Sequence, residues 1–217
     1  MALKKANENG GTTYLQVVGG RFAQRVPVGT EDAVERELKM GPNQGQKIAE
    51  VFYESISGHI TNAKLEDGDY GESISVTISE NGEEVHLRLP WNSKLRDAFV
   101  KRTPFIDVSK PVEFICFPDK KDSSPVLLIK QKNELLPMKW TKSEPEDMPP
   151  PEEVTVKGKT TLDWKLNESF LWDRCSEFCE QFEGNEKPAY QSDSSEVDEE
   201  EEDESISDKD VDDSIPF

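Results

Sequence analysis

The segment that most restricts the fold joins two alternating stretches, residues 73–79 and 83–89, through an Asn-Gly turn. In the first, SISVTIS, isoleucine or valine alternates with serine or threonine, and in the second, EEVHLRL, valine and leucine alternate with polar residues. Such alternation places the apolar side chains on one face of a strand. Asn-Gly favours the tight turn between two paired strands, because both residues tolerate positive φ. The sequence therefore predicts an antiparallel hairpin with one buried face.

Two regions before this hairpin also predict strands. Residues 12–29 contain two short runs of β-branched and aromatic residues split by a Gly-Gly pair, and these runs predict edge strands. Residues 47–65 predict one long strand, bent near Gly58. In that strand, four apolar residues are expected to face the core: Ile48, Phe52, Ile56 and Ile60. Tyr53 is expected to face outward, and residues 30–40 do not distinguish helix from strand.

After the hairpin, residues 92–102 predict a helix with Asn92 or Ser93 as its N-cap. Further strands are predicted at residues 112–117 and 125–132. The resulting order is three strands, a helix and two strands, which is the order of the OB fold, a five-stranded Greek-key barrel with a helix between strands 3 and 4. Such barrels bind oligonucleotides or oligosaccharides on one sheet face and in the loops joining strands 1 to 2 and 4 to 5. We therefore predict a mainly β fold of this type.

Composition changes after Trp140, where a proline- and acid-rich stretch predicts an extended linker. A later segment predicts an amphipathic helix with an apolar stripe: Leu171, Cys175, Phe178 and Phe182. This helix is expected to pack on the barrel or on another copy of the chain, so the oligomeric state stays open. We predict an OB-fold domain at 1–142 with a flexible arm at 1–11, a linker at 143–160, the C-terminal helix at 161–183 and a disordered acidic tail at 184–217.

Charge is distributed unevenly along the chain. The formal net charge of -19 at pH 7 argues against a phosphate-bearing partner. Residues 184–217, however, hold 14 acidic residues against 2 lysines, which leaves -7 for residues 1–183. Between His86 and Lys142 there are 12 Lys and Arg residues against 6 Asp and Glu residues, a local net charge of +6. The chain thus combines a basic middle with an acidic end.

Several classes of protein are disfavoured by the sequence. No nucleophile–base pair, phosphate-binding loop or other catalytic motif is present, which argues against an enzyme and against a cofactor. The C-x3-C pair of Cys175 and Cys179 lacks the second pair of a structural zinc site and is more typical of a helix core. Three cysteines without framework spacing indicate a reducing compartment, and no apolar run reaches about 20 residues. A cytoplasmic location without a membrane anchor is the expectation.

The basic middle contains the residue types of a single-strand binding groove, which combines cations for the backbone with aromatic rings for stacked bases. The alternative for each residue is a solvated lysine or a core aromatic. Candidate stacking residues are Tyr53, Tyr70 and Trp91. Candidate phosphate ligands are Arg88, Lys101, Arg102, Lys120, Lys121 and Lys130. Arg21, Phe22 and Arg25 are candidates for the same groove, although the sequence does not place them in it.

The chain ends in DDSIPF, an apolar tip on an acid-rich tail. Phe217 carries a ring and the terminal carboxylate, so a partner pocket can bury the ring while a basic side chain pairs with the charge. The ending resembles the tip of bacterial single-stranded DNA-binding proteins, Asp-Asp-Asp-Ile-Pro-Phe, which recruits replication and repair enzymes. The matching residues are Asp212, Asp213, Ile215, Pro216 and Phe217, and Ser214 departs from the third aspartate.

Segments of the body, TYLQVVGGRFAQRVPVGTEDAVERE and SISGHITN, are similar to the OB-fold single-stranded DNA-binding proteins that bacteriophages encode. The resemblance implies binding of displaced single strands with little sequence preference during DNA replication, recombination or repair, in the host cytoplasm. It also implies protein partners at the tip, such as a polymerase, primase, helicase or nuclease. Two alternatives stay open: an acidic-tailed interaction or chaperone protein for basic partners, and an RNA-binding OB protein.

Overall fold

The computed structural model of the protein describes residues 12–39, 43–68, 71–141, 143–156 and 159–184. The chain divides into two compact units, residues 1–186 and 187–217, and the second lies outside the described residues. The predicted arm at 1–11 and almost all of the predicted tail at 184–217 also lie outside them. The described part is mainly β, which confirms the predicted class.

The elements follow one another in chain order. They are β1 (Thr13–Val18), β2 (Arg21–Val26), β3 (Val34–Glu37), β4 (Lys47–Tyr53), β5 (Ser55–Glu66), β6 (Ser73–Glu80), β7 (Glu83–Pro90), α1 (Lys94–Val100), a 3-10 helix (Thr103–Phe105), β8 (Val112–Pro118), β9 (Pro125–Gln131), β10 (Glu134–Leu135), β11 (Glu152–Val156), β12 (Lys159–Asp163) and α2 (Lys165–Glu180).

Ten of the strands form one open sheet in the order β10-β9-β8-β5-β6-β7-β1-β2-β4-β3. Strands β5, β6 and β7 are consecutive antiparallel neighbours, and β8 returns after α1 to lie beside β5, which is a Greek-key arrangement. The predicted order of three strands, a helix and two strands is therefore present from β5 to β9. Strand β1 pairs in parallel with β7, and β2 lies between β1 and β4. The prediction that β1 and β2 are edge strands is wrong, because each has neighbours on both sides.

The predicted hairpin is confirmed as β6 and β7, but the expectation of one buried face is wrong for β6, where Ser73, Ser75 and Thr77 on the other face are also buried. Its two turn residues, Asn81 and Gly82, have φ of 55° and 86°, as a tight primed turn requires. Glu80 lies opposite Glu83, so the turn contains only these two residues. The alternating apolar side chains are all buried: Ile74, Val76, Ile78, Val85, Leu87 and Leu89. This hairpin supplies much of the hydrophobic core of the domain.

The long strand predicted at residues 47–65 is in fact two strands, β4 and β5, separated by Glu54. Ile56 and Ile60 of β5 are buried as predicted. In β4, however, Tyr53 lies opposite the core residue Phe22 and packs against the core, and Phe52 lies opposite Ala23 on the other face. The interruption shifts the alternation by one residue, so the expected directions of Phe52 and Tyr53 are reversed.

The predicted helices are both present. Ser93 caps α1, and its Oγ accepts a hydrogen bond from the Arg96 amide at 3.2 Å. The predicted stripe of α2 is buried in the main core: Leu171, Cys175, Phe178 and Phe182. Phe178 meets Phe99 of α1 edge to face, with ring centroids 5.7 Å apart. The helix therefore packs on its own domain.

The predicted linker at 143–160 is partly wrong, because β11 and β12 form a separate two-stranded sheet there. α2 begins at Lys165, four residues later than the prediction at 161, because residues up to Asp163 belong to β12. No helix among the described residues combines the length and the apolar character needed to cross a membrane.

Candidate nucleic-acid interface

A cleft of about 480 Å³ lies on the sheet face that turns away from the core. Side chains of five adjacent strands, β5, β6, β7, β1 and β2, reach it because alternate residues of each strand project to this face. The cleft is lined by Tyr14, Leu15, Gln16, Ala23, Arg25, Lys64, Glu66, Ser75, His86 and Arg88. Three permanent cations thus surround an opening that contains two aromatic rings and one carboxylate.

The aromatic part of the cleft is the pair formed by Tyr14 and His86. The parallel pairing of β1 with β7 places these residues opposite each other, and their ring centroids lie 5.1 Å apart with an interplanar angle of 31°. Tyr14 is 70% exposed, which leaves its ring accessible to a ligand. His86 Nδ1 lies 3.3 Å from Thr77 Oγ1, and partial burial lowers the pKa of His86 below its ordinary value of 6.5. The neutral form of the imidazole therefore predominates at pH 7.

The cations of the cleft come from three different strands. Arg88 of β7 is exposed, and its Nε donates to Ser73 Oγ at 2.9 Å, which orients the guanidinium along the sheet. Lys64 of β5 pairs with Glu66 at 2.8 Å. Arg25 of β2 is exposed at the opposite side of the cleft. With three cations and one carboxylate, the cleft attracts an anion even though the whole chain is acidic.

A buried carboxylate, Glu50 of β4, lies on the same sheet face. It is 0% exposed and accepts two hydrogen bonds from Arg36, at 2.8 and 2.9 Å, and one from Gln16 Nε2 at 3.2 Å. The hydrogen bond to Glu50 raises the pKa of Arg36 above its ordinary value. Because its charge is compensated within the protein, Glu50 does not oppose an anionic ligand on this face.

Three of the predicted DNA-binding residues share this face. Arg25 and Arg88 line the cleft together. Arg21 is exposed on the same side of β2, where its guanidinium carbon lies 4.4 Å from the centroid of the Phe52 ring. Arg21 and Arg25, whose positions the sequence left open, therefore both lie on the outward face of the sheet.

Lys120 and Lys121 are exposed on the loop between β8 and β9, which is the loop where the OB pattern placed them. The loop is held by hydrogen bonds to Asp122, whose carboxylate accepts from the Ser124 amide at 2.9 Å and from Lys94 Nζ at 3.2 Å. Hydrogen bonds from Ser124 and Lys94 lower the pKa of Asp122 to about 2. These hydrogen bonds fix the conformation of the loop that carries both lysines.

The β1–β2 turn touches the strand that leads into this loop. A Cβ atom at Gly20 would lie 2.4 Å from the Pro118 nitrogen, so only glycine fits there. Gly20 also has φ of 75°, which favours glycine independently of the contact. The close approach joins the end of β8 to the turn that carries Arg21.

Three predicted site residues are buried, and their assignment to DNA binding is wrong. Phe22 is 0% exposed and belongs to the core. Trp91 meets Trp172 of α2 edge to face, with centroids 4.6 Å apart. Arg102 donates to the carbonyl oxygens of Leu136 and Ala98, at 3.1 and 2.7 Å. These contacts involve residues far along the chain or within a helix, so strand alternation does not reveal them.

Three further predicted residues, Tyr53, Lys101 and Lys130, are not among the residues that line the cleft. The prediction that Tyr53 stacks on a base is wrong, because Tyr53 packs against the core and its hydroxyl donates to Gln24 Oε1 at 2.8 Å. Lys101 Nζ lies 3.6 Å from Asp97, and Lys130 Nζ lies 3.9 Å from Glu113. Tyr70 and the tip residues lie outside the described part of the chain: Asp212, Asp213, Ile215, Pro216 and Phe217.

The sequence did not single out Tyr14 or Lys64 as residues of the cleft. Lys64 faces outward because the register of β5 shifts between Ile60 and Asn62, so alternation counted from Ile56 and Ile60 predicts the opposite direction. Tyr14 reaches the cleft because β1 pairs with β7, which lies about 70 residues later in the chain. No local signal in the sequence reports that pairing.

The cysteines contribute to packing. Burial raises the pKa of Cys116 to about 11, and a hydrogen bond with Cys179 together with burial raises the pKa of Cys175. Among the described residues, no three His, Cys, Asp or Glu side chains are grouped closely enough to hold a metal ion. A buried protonated thiol is unreactive, which agrees with a place in the core.

No family model matches the chain, no curated protein matches it, and no solved structure matches it.

Proposed function

We propose that the protein binds single-stranded DNA with little sequence preference and that the cleft on the outward sheet face is its binding site. The observation that carries the proposal is the Tyr14–His86 ring pair, which lies in a cleft with Arg25, Lys64 and Arg88. Exposed rings stack on nucleobases, and cations beside them pair with phosphates. Neither feature reads the edge of a particular base, so the expected binding is tolerant of sequence.

The arrangement of the strands supports the finer prediction of an OB fold. In the Greek key from β5 to β8, α1 connects β7 to β8, and β9 pairs with β8. An OB fold binds its ligand on the face of its second and third strands and in two loops. Here the second and third strands correspond to β6 and β7, which carry Ser75, His86 and Arg88. The loop between its fourth and fifth strands corresponds to the loop with Lys120 and Lys121.

A single strand suits this site better than a duplex. In a duplex the bases are stacked on one another, so an exposed tyrosine ring gains a stacking partner only when a base is unpaired. The protein's role in this proposal is binding rather than catalysis: it covers single strands during replication, recombination or repair. The acidic tail offers the tip, with Ile215, Pro216 and Phe217, to partner enzymes.

Fluorescence anisotropy with the full chain tests the proposal. A fluorescein-labelled oligo-dT of about 16 nucleotides is titrated at several salt concentrations, beside a duplex and an oligo-U of equal length. The single-stranded DNA is expected to bind most tightly. Changing Arg25→Ala and Arg88→Ala together is expected to weaken binding at least about tenfold and to lower the salt slope by about 1.4, because each phosphate contact contributes about 0.7.

The control is Lys165→Ala on α2, which removes a cation that is 89% exposed and does not line the cleft. If the double variant and the control lose affinity equally, the cleft is not the binding site. If the oligo-U binds more tightly than the oligo-dT, the RNA-binding alternative is correct. If no oligonucleotide binds, the proposed function is wrong, and the interaction-protein alternative is favoured.

A further inference from the structure

The contact between Arg21 and Phe52 lies outside the cleft and has no role in the site described above. Phe52 is half-buried on β4, and the guanidinium of Arg21 lies over its ring at 4.4 Å from the centroid. An aromatic ring attracts a guanidinium to its face and restricts its motion. Arg21 itself is exposed, so the side of the guanidinium that faces away from Phe52 is open to a planar ligand.

The position of this contact is continuous with the cleft. Arg21, Ala23 and Arg25 alternate on one face of β2, and both Ala23 and Arg25 line the cleft. Phe52 lies directly opposite Ala23 in the pairing of β2 with β4. Because alanine is small, no bulky side chain on β2 separates the cleft from the Arg21–Phe52 contact. Along the strand, Arg21 and Arg25 are about 13 Å apart, at about 3.3 Å per residue.

The electrostatics of the path between the two positions also favour an anionic strand. Glu50 is the acidic residue of β4 opposite Arg25, and its carboxylate is fully buried against Arg36. Arg21 and Arg25 are both exposed cations. A phosphate backbone that leaves the cleft along β2 therefore passes cations and a compensated carboxylate.

We propose that Arg21, held over the ring of Phe52, forms a second stacking subsite for single-stranded DNA, next to the cleft along β2. A nucleobase stacks on the open face of the Arg21 guanidinium, as bases do on arginine planes in single-strand recognition. The neighbouring phosphate pairs with Arg25. This subsite rests on the proposed function, because it takes the same ligand as the cleft and extends its path.

Substitutions at Arg21 separate stacking from charge. With the oligo-dT of about 16 nucleotides, Arg21→Lys keeps the charge but lacks the planar face, so affinity is expected to fall at least about fivefold with an unchanged salt slope. Arg21→Ala removes both, so affinity is expected to fall further and the salt slope to decrease by about 0.7. Phe52→Leu keeps the apolar volume and removes the ring, and it is expected to match Arg21→Lys.

The matched control is Arg174→Lys, because Arg174 of α2 also lies over a phenylalanine, Phe170, at 5.4 Å, but away from this sheet face. Urea unfolding of each variant verifies that folding is retained, and Arg21→Lys is the decisive variant because the side chain is exposed. If Arg21→Lys binds as wild type does while Arg25→Ala with Arg88→Ala weakens binding, the second subsite is refuted and the cleft stands. If wild type binds no oligonucleotide, the proposed function fails and the subsite fails with it.

Discussion

Two groups of arginines in this protein use the same side chain for opposite purposes. Arg21, Arg25 and Arg88 are exposed on the outward face of the sheet, whereas Arg96 within α1 and Arg102 just after it are 5% and 4% exposed. The exposed group leaves its charges accessible to solvent on the sheet face. The buried group donates its hydrogen bonds to other residues of the domain. The basic middle of the sequence is therefore not one binding surface, and the location of a cation in the fold decides what it does.

The buried group connects elements that are distant in the chain. Arg96 donates to both carboxylate oxygens of Glu168 on α2, at 2.5 and 3.0 Å, and lies 4.5 Å from the ring centroid of Trp91. Arg102 ties α1 to the segment at Leu136. Burial lowers the pKa of Arg102 from its ordinary value of 12.5, which still leaves a charged guanidinium at neutral pH.

The largest effect is expected for Arg102→Ala, which tests the buried group. Removing the guanidinium leaves the carbonyl oxygens of Leu136 and Ala98 without these donors and creates a void, so the free energy of unfolding is expected to fall by about 3 kcal/mol. Urea unfolding followed by circular dichroism measures it. The matched control is Arg25→Ala, which removes an exposed side chain and is expected to change stability by less than about 0.5 kcal/mol. Equal losses for the two variants would contradict the division into two groups.

The next effect is expected for Tyr14→Ala, which tests the ring beside the exposed group. Losing one stacked base is expected to weaken oligo-dT binding by about tenfold, without a change in the salt slope. Tyr14→Phe keeps the ring and serves as the control, with affinity close to wild type. A wild-type affinity for Tyr14→Ala would show that the cleft binds through charge alone.

A smaller effect is expected when Lys120→Ala and Lys121→Ala are combined. These lysines lie on the ordered loop between β8 and β9 rather than in the cleft, so a few-fold loss of affinity and a smaller salt slope are expected. Anisotropy titrations over a range of salt concentrations measure both quantities. An unchanged slope would exclude the loop from the binding surface.

The smallest effect concerns the pH dependence of the buried group. The hydrogen bonds from Arg96 hold the pKa of Glu168 below its ordinary value of 4.5. Because the folded pKa is the lower one, the ionised carboxylate stabilises the fold above the ordinary pKa, and this contribution is lost as the pH falls through the folded value.

Glu168→Gln is therefore expected to show a smaller drop in urea midpoint than wild type between about pH 6 and about pH 3. Glu153→Gln, on the exposed strand β11, is the control for losing a carboxylate elsewhere. Parallel pH profiles for wild type and Glu168→Gln would show that the ion pair with Arg96 adds no stability in solution.

Local patterns predicted the elements whose signals are contained in a few residues. The alternation around Asn81–Gly82 identified the hairpin, and the spacing from Leu171 to Phe182 identified the buried stripe of α2. In β4 the same reasoning failed, because the interruption at Glu54 reversed the face of Phe52 and Tyr53. A two-residue period carries no information across a break of unknown length.

The candidate site was predicted less completely than the fold, for a similar reason. Arg25 and Arg88 were named from charge, and the structure places both in one cleft. Trp91 was predicted as a stacking residue by the same reasoning, but in the structure it packs against Trp172 of α2. Aromatic rings serve cores and binding sites equally well, so only their surroundings separate the two uses.

By itself the sequence determined the mainly β class, the central hairpin, both helices and the separation of a basic middle from an acidic end, because period, turn chemistry and charge are local properties of a chain. The tip at Phe217 stays a prediction of the sequence alone. Only the tertiary structure decided that β1 lies beside β7, that Tyr14 meets His86, and that Arg102 is buried while Arg88 is exposed. These outcomes depend on contacts between distant residues, which chain order does not specify.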